Sequence, residues 1–441
     1  VAPALFWPFL FSALAMGLAA WSYPAAFPTR FTEPWLRNPA ALKAVHCLAL
    51  GQLALLFLAV SAQAFPVLFH RPHPAKFQGL AGPGLWLLGV LLLVCFLAGW
   101  RGAWLLGVAW SAMAAGWATL LGLALRASAG TGGRTKAFQG LASAFVYLGL
   151  QLLLGGAMAW GLLRPILPQE PLDSLRLHVH WGLWGFAASA IFGLLPKLLR
   201  LFQASTGYPG WLQRWAFMAV HAGLSLLLLQ WLGALGGDAA AIAGGLFLAA
   251  AILFAMQLIV LLRAARSLKA DSSLALQAAG VLFLVAAAAL DAWLLAGHGD
   301  WHQEAAAVAL GLGGFVSLVL LGTLQRIFAV LARFQRFYEA SRSSAVPTAW
   351  QLIHPGLAWA VLPLQATAAA GLAWGLWRGD AGWIRASGWL GCLAQTATLG
   401  LAVGALTRGK AKPFPTGQNP FEAWALEQAQ AEALLKAGAE A

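Results

Sequence analysis

The stretch Leu177–Phe202, LHVHWGLWGFAASAIFGLLPKLLRLF, decides the fold. It opens on His178 and His180, continues through roughly twenty almost uncharged residues, and closes on the basic turn Lys197–Arg200. A helix of that length, rising ~1.5 Å per residue, crosses a hydrocarbon core about 30 Å thick. Histidine is costly inside such a core, so two at the mouth of one helix mark a candidate site. Successive residues turn by about 100°, which sets His178 and His180 on nearly opposite helix faces. They cannot chelate one metal together, although each can meet a different partner. The plainer alternative is an interfacial pair reaching toward headgroups.

Composition extends this reading to the whole chain. Of 441 residues, 61% are hydrophobic and only 9% charged, and the mean hydropathy is +0.75. These values exclude an ordinary soluble domain and describe an all-α polytopic membrane protein. The 23 Trp suit broad interfacial belts in contact with membrane lipid. Cys47, Cys95 and Cys392 have no CxxC spacing, so neither a disulfide framework nor a zinc site is indicated. The net charge of +13 is accounted for by loop residues that set topology, not by nucleic-acid binding.

Twelve apolar runs are expected, at 4–26, 44–69, 83–100, 103–125, 138–163, 177–202, 211–233, 238–262, 272–297, 304–332, 350–377 and 386–407. The first of them lacks a basic leader region and reads as a span. Residues 1–408 thus form one transmembrane domain, and 409–441 a tail ending in a short amphipathic helix. The loops after even-numbered runs, with the tail, carry nineteen of the 27 Lys and Arg. The positive-inside rule then predicts both termini in the cytoplasm of a bacterial-type inner membrane. His46, His178, His180, His298 and His302 fall on the outer side, and His221 lies near mid-span. His70, His73 and His354 lie toward the cytoplasm and read as surface residues.

Runs two, six and ten superimpose without gaps. Their registers are His46, Gly51, Gln63; then His180, Gly185, Lys197; then Val308, Gly313, Gln325. A repeat every four runs predicts three four-helix units related by pseudo-threefold symmetry.

Twelve spans with histidines at the outer ends of spans two and six resemble subunit I of the heme-copper oxidases and nitric oxide reductases. The second span, VHCLALGQLALLFLAVSAQAFPVLF, is similar to that family's second span, and GQNPFEAWALE at Gly417–Glu427 is similar to its post-membrane motif. The resemblance implies that His46 ligates a heme, that His180 or His178 approaches a metal centre, and that His221 answers to the histidines of span seven. Copper or iron would be the second metal, and a small electron-donor protein or companion subunit the partner. The chain also departs from the family. Ala306 and Val308 stand where the family has HxH in span ten, and spans six and seven hold neither Tyr nor Glu. Whether the chain turns over as an oxidoreductase is therefore open. A second similarity is to the NnrS membrane proteins, whose HE-containing second-span motif is missing here.

Imidazole suits heme iron and copper because it is a good nitrogen donor that is neutral near pH 7. His46 together with a span-six histidine would allow a bis-histidine heme between units one and two. His302 is a candidate substitute for the missing span-ten ligands, although HGDWHQE reads as a solvated loop. Asp291, deep in run nine, is a candidate proton relay or a carboxyl hydrogen-bonded to a neighbouring helix. Arg326 is expected to face headgroups, while Arg37, Lys43, Arg101 and Arg176 are expected within reach of heme propionates. Two further readings stay open: a cofactor-free transporter centred on Asp291, and a non-catalytic subunit that assembles or senses heme, copper or nitric oxide.

Overall fold

The computed structural model describes all residues except 1–5, 35–37, 69–75, 101, 129–135, 165–166, 168, 204–208, 266–270, 338–348 and 408–441. The post-membrane motif, the tail helix, His70 and His73 lie outside the described residues. Among the described residues twelve helices are long and apolar enough to cross a membrane. They are α1 (Trp7–Ala26), α2 (Pro39–Ser61), α3 (Gly79–Leu97), α4 (Ala103–Arg126), α5 (Ala137–Gly161) and α6 (Pro171–Arg200), followed by α7 (Gly210–Trp231), α8 (Asp238–Arg263), α9 (Ser272–Leu295), α10 (Trp301–Arg333), α11 (Pro355–Arg378) and α12 (Ala381–Thr407). There is no strand among the described residues. The chain is a multi-pass, all-α membrane protein.

Three helices form the centre. α2, α6 and α10 bury 72–78% of their apolar windows, against 33–50% for the other nine. Around them the packing repeats. α1 lies on α2, α5 on α6 and α9 on α10, while α3/α4, α7/α8 and α11/α12 form tight antiparallel pairs. Contacts of α4 with α5, α8 with α9 and α12 with α1 close the ring.

The repeat also has a backbone signature. Each central helix widens into a π-helix for eight residues, at Cys47–Ala54, Trp181–Ala188 and Ala309–Val316. Each segment begins on the residue after His46, His180 or Val308, the three positions aligned from sequence. Such windings are rare and concentrate at functional sites. In every copy the carbonyl four residues past the aligned position accepts an extra bond from a side chain. Trp86 Nε1 donates to Leu50 O (3.0 Å), Ser189 Oγ to Trp184 O (3.3 Å) and Ser317 Oγ to Leu312 O (2.8 Å). A carbonyl has two lone pairs, and inside a membrane no water supplies a partner for the second.

The repeated glycines admit neighbours. A Cβ on Gly51 would strike Met16 of α1, and one on Gly185 would strike the Tyr147 ring of α5. The third repeated polar position does not behave as a common site. Lys197 is exposed, whereas Gln325 is buried, donating to Ala358 O and accepting from Ser272 Oγ. Arg326 departs from expectation. Instead of facing headgroups it is buried, with Nη2 2.8 Å from Asp271 Oδ2 and Nε donating to Ser273 Oγ at 2.9 Å. Asp271 is itself the N-cap of α9, so the pair ties α10 to the start of its neighbour.

Candidate functional site

α6 begins at Pro171, ahead of the expected start, so both of its histidines sit within helix. The two rings do diverge. His180 turns toward α8 and α9, where its ring stacks on Phe247 (centroids 5.5 Å apart) and its Nε2 lies 3.1 Å from Asp291 Oδ1. His178 turns the other way, against Gly155 of α5, where an added Cβ would lie 2.7 Å from His178 Cε1. The structure thus places His178 against α5 on one side of α6 and His180 with Asp291 on the other.

The hydrogen bonding of the two groups differs. His46 Nδ1 donates to Leu42 O at 2.7 Å, one helical turn back, which leaves Nε2 as the free ring nitrogen. His178 Nδ1 is buried and has no hydrogen-bond partner. It is one of twelve buried side-chain nitrogen and oxygen atoms without a partner among the described residues, and the one that belongs to a histidine. Two neutral imidazoles, one anchored with its far nitrogen free and the other with an orphaned nitrogen, match the donor set of a bis-histidine heme. The π segment of α10 touches those of both α2 and α6. Farther along the helices Phe57 meets Phe145 at 5.2 Å and Phe186 at 5.1 Å.

His180 is fully engaged. Its Nδ1 lies 2.6 Å from Arg176 O and its Nε2 faces both oxygens of Asp291, at 3.1 and 3.2 Å. Both ring nitrogens therefore face acceptors, Nδ1 a backbone carbonyl and Nε2 the Asp291 carboxyl. Trp184 Nε1 donates to Asp291 Oδ2 at 3.3 Å. Asp291 is therefore hydrogen-bonded to a neighbouring helix. Beside the pair lies a cavity of about 140 Å³ between α6, α9 and α10. Val308, the repeat counterpart of His46 and His180, forms part of its wall.

The remaining candidates are placed elsewhere. His221 bridges α7 to α5, with Nε2 3.2 Å from Ser143 Oγ and Nδ1 3.2 Å from Tyr147 OH, so hydroxyls occupy both nitrogens. His302 is not in a loop. Asp300 and Gln303 form a capping box that starts α10 at Trp301, and His302 Nδ1 lies 3.0 Å from Leu376 O of α11. His354 is the N-cap of α11, where its Nδ1 accepts from Leu357 N. Of the cations expected near a propionate, Arg176 is joined to Glu304 at 2.6 Å, and Lys43 sits 5.0 Å from the centroid of the Tyr23 ring. Arg37 and Arg101 lie outside the described residues. Among the described residues no three His, Cys, Asp or Glu converge as a metal group.

No protein-family model matches this chain, and no curated protein matches it.

Proposed function

We propose that this chain is a heme-binding membrane protein of the heme-copper oxidase and nitric oxide reductase type, with His46 and His178 as the two axial ligands and electron transfer as its role. The observation that carries the proposal is two ring nitrogens without a hydrogen-bond partner, Nε2 of His46 and the buried Nδ1 of His178, near the N-terminal ends of the central helices α2 and α6. A heme held by these two imidazoles would supply one-electron transfer. The residues then divide the work. Leu42 O fixes the tautomer and direction of His46, as partners of metal-bound imidazoles commonly do. Gly155 gives the His178 ring its space. Phe57, Phe145 and Phe186 exclude water from below. The cofactor-free carrier alternative would centre on Asp291, which lies on the opposite face of α6 from His178.

The test is an absorption spectrum of the protein purified from heme-sufficient cells. A Soret band that sharpens and shifts on dithionite reduction is expected. His46→Ala and His178→Ala should each lose the six-coordinate, low-spin spectrum, whereas His221→Ala should keep it. Absence of any Soret band from correctly folded protein would sink the proposal.

A further inference from the structure

The cavity beside Asp291 takes no part in the reading above and has a chemistry of its own. Its walls are mostly aliphatic and aromatic, among them Leu183, Ala287, Leu295 and Trp301. Exposed Leu172 and Arg176 stand at its mouth. The polar group inside is the Asp291 carboxyl, whose side chain stays 16% exposed and is steadied by His180 Nε2 and Trp184 Nε1. A carboxylate offers about four acceptor positions, and the protein's donors leave part of that capacity for a ligand. Arg176 and Glu304 satisfy each other at the rim, so neither presents an unpaired charge to a guest.

Size narrows the guest. An apolar protein cavity of about 150 Å³ holds one benzene molecule, and this one measures about 140 Å³. We infer that the cavity is a binding site for a single six-membered aromatic ring bearing a hydroxyl group, which donates its O–H to Asp291 while the ring lies among Leu183, Trp184 and Trp301. Such a ring reaches the site either as the headgroup of a lipid-dissolved hydroquinone or as a free phenol from water. The inference is independent of the heme proposal, because the cavity lies on the opposite face of α6 from His178.

The experiment uses the full chain in nanodiscs and follows fluorine NMR line broadening of para-fluorophenol and of fluorobenzene, with empty nanodiscs subtracted for partitioning into lipid. para-Fluorophenol should bind at least ten-fold tighter than fluorobenzene. Asp291→Asn should erase that preference and leave fluorobenzene binding intact, which also reports that the cavity is still formed. Ala287→Leu should abolish both signals by filling the space. Displacement of para-fluorophenol by decylhydroquinone at ten-fold lower concentration than by hydroquinone assigns the ring to the lipid phase. Equal displacement assigns it to water. Equal binding of the two fluorinated probes, a preference that survives Asp291→Asn, or binding unchanged by Ala287→Leu would each overturn the inference, whatever the absorption spectrum shows.

Discussion

At the residue scale the decisive contrast is between His178 and His180, two positions apart and opposite in surroundings. One ring keeps an orphaned buried nitrogen, while the other has both nitrogens engaged. Substitution should separate them. His180→Ala strips the Nε2 contacts from Asp291 and leaves a carboxyl partly buried with only Trp184, so it should lower stability by about 1–3 kcal/mol while sparing the low-spin spectrum proposed for His46 and His178. Denaturant titration in detergent, read alongside absorbance, checks both halves of that expectation. Arg326 offers a second case. Removing one member of a buried ion pair strands its partner, and such breaks cost about 3–5 kcal/mol. Asp271 remains 22% exposed at the side chain, so Arg326→Ala should fall at the lower end of that range. Arg326→Ala combined with Asp271→Asn should recover part of the loss, as a double-mutant cycle would show.

At the element scale, helix spacing is set where backbones touch. A Cβ on Gly140 of α5 would lie 2.6 Å from Gly193 Cα and 2.7 Å from Ser189 O of α6, and backbone cannot swing aside. Gly140→Ala should therefore push α5 from α6 and cost about 1–3 kcal/mol, as overpacked cores do, measurable as a lowered unfolding midpoint. Much at this scale is legible in the sequence. The spans follow from apolar length, and the alignment of His46, His180 and Val308 locates the residue before each π segment. The beginning of α10 was legible too, since Asp300 and Gln303 spell a capping box that an apolar-window reading passes over. Other features have no local code. The π windings have no composition of their own, and nothing near Asp291 announces a histidine 111 residues earlier. Arg326 looks like a snorkelling cation until Asp271, 55 residues before it, is brought alongside.

At the scale of the whole molecule, an even number of crossings returns both termini to one side. With basic residues concentrated in the loops after even-numbered spans, that side is expected to be the cytoplasm. A fluorescent-protein fusion at Ala441 should glow, and an alkaline phosphatase fusion there should stay inactive. The ring is not evenly braced. α10 leans on both of its central neighbours, and the outer contacts of units two with three and three with one are more extensive than that of units one with two. A barrel of three staves with one loose joint yields at that joint first. Heat or harsh detergent should part the molecule between α4 and α5 before it opens elsewhere, so limited proteolysis of partly denatured protein should release the first four helices as one piece. Anything that binds the assembled form across that joint draws the equilibrium toward it by mass action. A guest mortared between His46 and His178 would then be part of what keeps the barrel shut, and its loss would show as fragmentation before it showed as lost chemistry.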